Sequence, residues 1–241
     1  MSPSELRVRF DAGLRMLMTS RRRGAEVRVA HDGTSSLGHV VESLGVPLPE
    51  VGGLTAGGRP VEPSHRPLAG EVVEVHEVRR PQPLPDGEPP RFLLDVHLGA
   101  LARRLRLVGA DAAYRNDLDD PALVERANAQ RRVLLTRDRG LLRRRALWCG
   151  AFVRGSRPDE QLTDVLDRFA PPLAPWTRCT ACNGMLAPVT KEEIEHLLDP
   201  GTRRTQERFT RCRDCGRVYW PGAHHRRLEE VVAAAARTVA R

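Results

Sequence analysis

Two kinds of apolar spacing run along the chain. In the first third, Leu6-Arg7-Val8-Arg9-Phe10 and Glu26-Val27-Arg28-Val29-Ala30-His31 alternate apolar with polar, the period of a half-buried strand. Ser35-Ser36 then precede Leu37, Val40, Val41 and Leu44, a helical spacing that Gly45 and Pro47 stop. Gly53-Leu54-Thr55-Ala56 and Val72-Val73-Glu74-Val75 predict a second strand pair, the later one ending near Val78. Residues 81–90, PQPLPDGEPP, hold five prolines and a single large apolar residue, Leu84, which predicts a linker.

Beyond residue 90 the strands become short continuous apolar runs. Arg91-Phe92-Leu93-Leu94 ends in Asp95 and is followed by a helix with Leu98, Leu101, Leu105 and Val108 on one face. Ala112-Ala113-Tyr114 predicts a second strand, and Asp120-Pro121 opens a helix through Leu123, Val124 and Ala127. Val133-Leu134-Leu135-Thr136 predicts a third strand, ending at Asp138, and Ala151-Phe152-Val153 a fourth. Apolar strands alternating with helices predict an α/β domain whose parallel sheet is covered on both faces.

In such a sheet, ligands collect at the carboxyl ends of the strands. Asp95 and Asp138 fall there, and an acid from Asp117-Leu118-Asp119-Asp120 can join them. Clustered carboxylates repel one another unless a divalent cation neutralises them, and oxygen-only ligation suits Mg²⁺ or Mn²⁺. An ion of this kind activates water and stabilises charge during attack on a phosphodiester. A plainer reading stands beside two of the acids: Asp120 as a helix cap, and Asp138 as the cap of a helix through Leu141 and Leu142. Asp95 sits directly behind an apolar run, where an unpaired charge is costly.

Cys179-x2-Cys182 and Cys212-x2-Cys215, separated by 29 residues, form two knuckles able to hold one structural zinc ion with no open position. The intervening segment holds a predicted short helix from Lys191 to Leu198. Disulfides would need an oxidising compartment. The opening residues MSPSELRVRF lack the basic and apolar regions of a secretory signal, so a cytoplasmic location is expected. No apolar run approaches the roughly 18 residues of a membrane span. Cys149 is left over and reads as an inert thiol. The aromatic stretch from Val218 to His225 either packs the ribbon or contacts substrate, with His224 the candidate for contact.

The net charge is +8, with the excess in the last two thirds of the chain. That balance attracts a polyanion such as RNA or DNA. Lys191 is the only lysine, and so strong a skew toward arginine also follows from genome base composition. Arg103, Arg104 and Arg106, on the helix after Asp95, and Arg137, beside Asp138, are candidates for phosphate contact. A solvated helix face is the competing reading for Arg104.

The strand, strand, helix, strand, strand order of residues 1–80 resembles a ubiquitin-like β-grasp domain, especially the sulfur-carrier branch. Carriers act through a free C-terminal Gly-Gly, whereas Gly52-Gly53 and Gly57-Gly58 are internal here, which leaves a role in interaction or substrate guiding. The run FLLDVHLGALARRLR (Phe92 to Arg106), Gly109-Ala110-Asp111, the acidic segment before Pro121 and Val133-Leu134-Leu135-Thr136-Arg137-Asp138 together resemble the PIN-like ribonucleases of the Mut-seven C-terminal RNase domain family. Members of that family typically end in a zinc ribbon, and bacterial ones often begin with a ubiquitin-like domain. The resemblance implies a β-grasp domain over 1–80, a linker over 81–90, a PIN-like α/β domain over 91–170, and a zinc ribbon with a C-terminal helix over 171–241. It implies a metal-dependent ribonuclease in which Asp95, Asp120 and Asp138 hold Mg²⁺ or Mn²⁺, with Asp117 or Asp119 as helpers. Arg103, Arg106, Arg137 and His224 are then the expected RNA contacts, and Cys179, Cys182, Cys212 and Cys215 the zinc ligands. Many PIN nucleases carry a further acid after the fourth strand, whereas Phe152-Val153-Arg154-Gly155 has none, and Asp159 and Glu160 are the next available. That departure keeps open a non-catalytic RNA-binding or ribosome-associated adaptor. A DNA-directed or toxin-like nuclease fits the same residues.

Overall fold

A computed structural model describes residues 4–20, 23–223 and 225–240. The N-terminal third forms β1 (Ser4–Phe10), β2 (Glu26–His31), α1 (Leu37–Ser43), β3 (Val51–Ala56), β4 (Arg59–Val61) and β5 (Val72–Glu77). The sheet runs in the order β2-β1-β5-β3-β4, with β1 and β5 parallel and the other neighbours antiparallel. Leu6, Val8 and Phe10 alternate inward along β1 and meet Val40, Val41 and Leu44 of the α1 face, as their spacing predicts. Gly45 lets the chain turn sharply after α1: its φ is +111°, and a Cβ there would lie 2.9 Å from the Leu17 carbonyl oxygen. This packs the segment Leu17 to Thr19 against the C-terminal end of the helix.

The second unit contains β6 (Phe92–Leu94), α2 (Gly99–Leu107), β7 (Ala112–Tyr114), α3 (Asp120–Ala129), β8 (Val133–Thr136), α4 (Arg139–Leu142), β9 (Gly150–Phe152) and α5 (Pro158–Phe169). All neighbouring strands are parallel, in the order β7-β6-β8-β9. Side chains of β6 and β8 are fully buried, and they alternate between two cores: Phe92, Leu94, Val133 and Leu135 face one, Leu93 and Leu134 the other. That is the two-sided burial expected of continuous apolar strands. Because the chain runs from β6 outward to β7 and returns past β6 to β8, the strand order reverses between β6 and β8. A crevice opens there at the carboxyl ends of the strands.

The last unit is an antiparallel sheet of β10 (Leu186–Val189), β11 (Phe209–Cys212) and β12 (Val218–Tyr219), with α6 (Lys191–Ile194) and α7 (Pro200–Thr205) in the insertion. The helix expected from Lys191 to Leu198 is interrupted: α6 passes into a 3-10 turn at Glu195–Leu197. Its apolar residues Ile194 and Leu198 pack with Phe209 into a separate small core. Helix α8 (His225–Val239) folds back onto the second unit, where Ala235 is buried and Val231, Val232 and Val239 pack beside it. No helix among the described residues is long and apolar enough to cross a membrane.

The proline-rich segment is not the free tether its composition predicts. Leu84 enters the core of the second unit, and Gln82 accepts a hydrogen bond from Arg168 Nε at 2.8 Å while its backbone N–H donates to the Arg168 carbonyl at 2.6 Å. Arg168 also pairs with Glu50 of the N-terminal unit at 2.6 Å, with side chains 1% and 0% exposed. Glu50 Oε1 accepts from the Phe152 backbone N–H as well, at 2.8 Å. Prolines limit the freedom of such a segment in the unfolded chain, so ordering it costs less entropy than composition alone suggests.

Candidate active site and metal centre

A cleft of about 610 Å³ lies at the carboxyl edge of the parallel sheet and is lined by Asp95, His97, Arg137, Asp138, Arg139 and Arg143, together with Thr19, Ser43 and Gly45 of the N-terminal unit. Asp95 follows β6 and Asp138 follows β8, so both acids stand at the point where the strand order reverses. Asp95 is buried, at 7% exposure, and its Oδ2 accepts a hydrogen bond from Thr136 Oγ1 at 2.6 Å. Thr136 Oγ1 in turn accepts from the Asp138 backbone N–H at 2.9 Å. A chain of polarised hydrogen bonds therefore links the loop of one acid to the carboxylate of the other. Among the described residues no basic side chain forms an ion pair with either carboxylate. Thr136, bonded to Asp95, and His97, on the cleft lining, are candidates that sequence reasoning missed. The available signal for Thr136 was a hydroxyl at the last, buried position of a strand lying between the two acids.

The other predicted acids stand elsewhere. Asp119, not Asp120, is the N-cap of α3, its Oδ1 accepting from the Ala122 N–H at 2.9 Å. Asp120 does not line the cleft, and its carboxylate lies 4.0 Å from Arg144. Asp117 is exposed and occupied by Arg115 at 2.8 Å, which holds its carboxyl below the usual range. Asp95, Asp120 and Asp138 thus do not form a closed cluster. Asp138 Oδ1 also caps α4, accepting from the Gly140 N–H at 2.6 Å, so the plainer reading of this acid describes part of its role. After β9, Asp159 pairs with Arg104 at 2.6 Å. Glu160 accepts from the Arg157 and Ser156 backbone N–H groups, and these bonds lower its carboxyl to about 2.

The predicted phosphate contacts divide in the same way. Arg137 lines the cleft while donating to the Gly155 carbonyl, and Arg103 is exposed. Arg106 is buried, at 3% exposure, and donates to the carbonyls of Ala112, Thr180 and Ala181. It clamps the cysteine knuckle to the sheet and is not a surface contact, because the helix face it occupies is covered by the third unit. His224 lies outside the described residues.

The four cysteines meet, their sulfurs all within 4.8 Å of one another, and they are the only such group of three or more ligand side chains among the described residues. Cys179 and Cys215 sulfurs are 3.7 Å apart and those of Cys182 and Cys212 are 3.4 Å apart. A disulfide needs about 2.05 Å, whereas four thiolates at about 2.3 Å from a tetrahedral zinc ion stand roughly 3.8 Å from each other. The donor set and its spacing therefore fit zinc. Cys149 is free and mostly desolvated, which pushes its thiol up to about 11, consistent with an unreactive group.

Fold and site together define a class: an α/β domain with paired carboxylates at the strand reversal of a parallel sheet, preceded by a ubiquitin-like domain and followed by a four-cysteine ribbon. The chain belongs to the Mut7-C family, the Mut7-C RNAse domain matching residues 90–232 and the Mut7-C ubiquitin domain matching residues 3–83. Comparison with curated proteins and with solved structures finds no match.

Proposed function

We propose that the chain is a metal-dependent ribonuclease acting in the cytoplasm. The observation that carries this reading is the pair Asp95 and Asp138 on one cleft, with Asp95 buried and neither carboxylate in an ion pair with a described side chain. A buried carboxylate without a compensating charge is costly, and a divalent ion is the partner the pocket chemistry fits. Asp95 and Asp138 would hold Mg²⁺ or Mn²⁺. The bound ion would supply water activation and charge stabilisation at the scissile phosphate. Thr136 orients the Asp95 carboxylate by donating to Oδ2. His97, Arg137, Arg139 and Arg143 line the same cleft and would meet the RNA there. Zinc bound by the four cysteines would be structural, with no coordination position open to substrate.

A second reading, a non-catalytic RNA-binding adaptor, is favoured by one feature: the segment after β9 offers no free carboxylate, Asp159 and Glu160 both being engaged. Cleavage of labelled structured and single-stranded RNA in Mn²⁺, Mg²⁺ or EDTA separates the two. The expected result is metal-dependent cleavage that Asp95→Asn lowers by at least about 100-fold, in line with loss of a metal ligand. Wild-type inactivity on every RNA with both metals would replace the nuclease with the adaptor.

A further inference from the structure

The cleft that holds Asp95 and Asp138 has a second wall built by the ubiquitin-like domain. Thr19 and Ser43 are exposed on that wall, which Gly45 also lines. From the same surface the Leu17 carbonyl accepts a hydrogen bond from Arg139 Nη1, and the Glu42 carbonyl accepts one from Arg143 Nη2 at 2.8 Å. Glu42 lies in the last turn of α1, where its carbonyl also accepts from the Gly45 N–H at 3.0 Å and the helix end carries partial negative charge that favours a cation. Each guanidinium uses one nitrogen in this contact, neither forms an ion pair with a carboxylate among the described residues, and each has further donors on a cleft that also carries Arg137.

Buried polar contacts join the wall to the nuclease unit. The Glu50–Arg168 pair is desolvated and Arg168 Nη2 also donates to the Pro49 carbonyl at 3.0 Å. Arg80 pairs with Asp164 at 2.9 Å, and Phe152 packs against the N-terminal core. Separating the domains would strip partners from buried charges.

We propose that the ubiquitin-like domain forms one side of a single-stranded RNA path through the nuclease cleft, its backbone carbonyls holding Arg139 and Arg143 toward the phosphates. The inference deepens the nuclease reading and rests on it for the choice of RNA. A volume of about 610 Å³ falls within the range of sites that enclose a drug-sized ligand, room for roughly one or two nucleotides. A paired helix is too broad to bring its phosphates down to a recessed Asp95, whereas an unpaired strand can bend into the cleft.

The test is binding of a fluorescent single-stranded RNA and of the matching duplex to the full chain in EDTA, where cleavage does not intervene. Thr19→Glu and Ser43→Glu place a negative charge on the ubiquitin-like wall without touching the acids, and Thr34→Glu makes the same change beyond the opposite end of α1. The wall variants are expected to weaken single-strand binding roughly 5- to 10-fold, with Thr34→Glu within about twofold of wild type. Arg139→Gln and Arg143→Gln should each reduce the slope of log affinity against log salt by about one. Unchanged melting temperatures verify that the variants fold. Wild-type affinity in both wall variants, tighter binding of duplex than single strand, or no RNA binding at all would each overturn the proposal. Failure of the nuclease reading looks different: binding that depends on Thr19 and Ser43, with no cleavage when metal is restored.

Discussion

Asp95 shows how one residue inherits its role from its neighbours. Three buried apolar residues place it at the end of β6, and its carboxylate accepts there from Thr136, whose hydroxyl also accepts from the backbone of Asp138. Replacing Thr136 with Val keeps the shape and the β-branching but removes both hydrogen bonds. Loss of a group that orients a metal ligand commonly lowers activity about 10- to 100-fold. Thr136→Val is therefore expected to lower the cleavage rate by about that factor while leaving RNA affinity in EDTA unchanged. An equal loss of affinity would mean that Thr136 acts on folding of the cleft and not on the acid.

At the scale of elements, the ribbon is fastened by groups that its own sequence does not announce. Asp111, just ahead of β7, accepts from Asn183 Nδ2 at 2.8 Å and pairs with Arg132 at 2.6 Å. Gly109, with φ +88°, lets the Ala174 carbonyl approach to 2.1 Å from where a Cβ would stand. Burial would raise the Asp111 carboxyl, but the bonds from Arg132 and Asn183 outweigh it and hold the carboxyl below its ordinary value. A lowered native value means that this stabilisation is complete above the unfolded value of about 3.9 and is lost as pH falls through the native one. Acid unfolding followed by near-UV dichroism should show Asp111→Asn less stable than wild type at pH 7, the difference narrowing below about pH 4. The cysteine cluster gives a second expectation at this scale. Purified protein should contain about one zinc per chain, and a Cys179→Ser, Cys212→Ser double variant should lose it along with the ribbon's cooperative melting. Full zinc retention in that variant would falsify the ribbon as the metal centre.

At the scale of the whole molecule, the joint between the first two domains is a buried charge pair. Removing one partner of such a pair strands the other, at about 3–5 kcal/mol, whereas replacing both with apolar groups is often neutral. Arg168→Met should accordingly destabilise the full chain by about 3–5 kcal/mol in urea titration, and adding Glu50→Leu should recover most of the loss. Additive destabilisation by the two changes would show that the pair is not coupled. The same joint predicts that a fragment beginning at residue 88 folds poorly, because Arg168 and Phe152 lose the surface that covers them.

Much of this architecture was legible in the chain. Alternation in β1 and β2, continuous apolar runs in β6 and β8, and the two Cys-x2-Cys knuckles encode their roles locally, because strand burial and thiolate pairing depend on residues two or three positions apart. The positions of Asp95 and Asp138 followed from the same local rule. Only the tertiary structure decided which other groups share their cleft. Asp120 and Asp117 lie close to them in the pattern but face Arg144 and Arg115, and Arg106, on an outwardly polar helix position, is buried by a ribbon more than 70 residues later in the chain. Glu50 and Arg168 stand 118 positions apart, so no periodicity links them, and the proline-rich segment between them reads as a tether until the pair it spans is seen. Short-range chemistry is written in neighbouring residues. Which charges end in water and which end against each other is settled by the packing of whole domains.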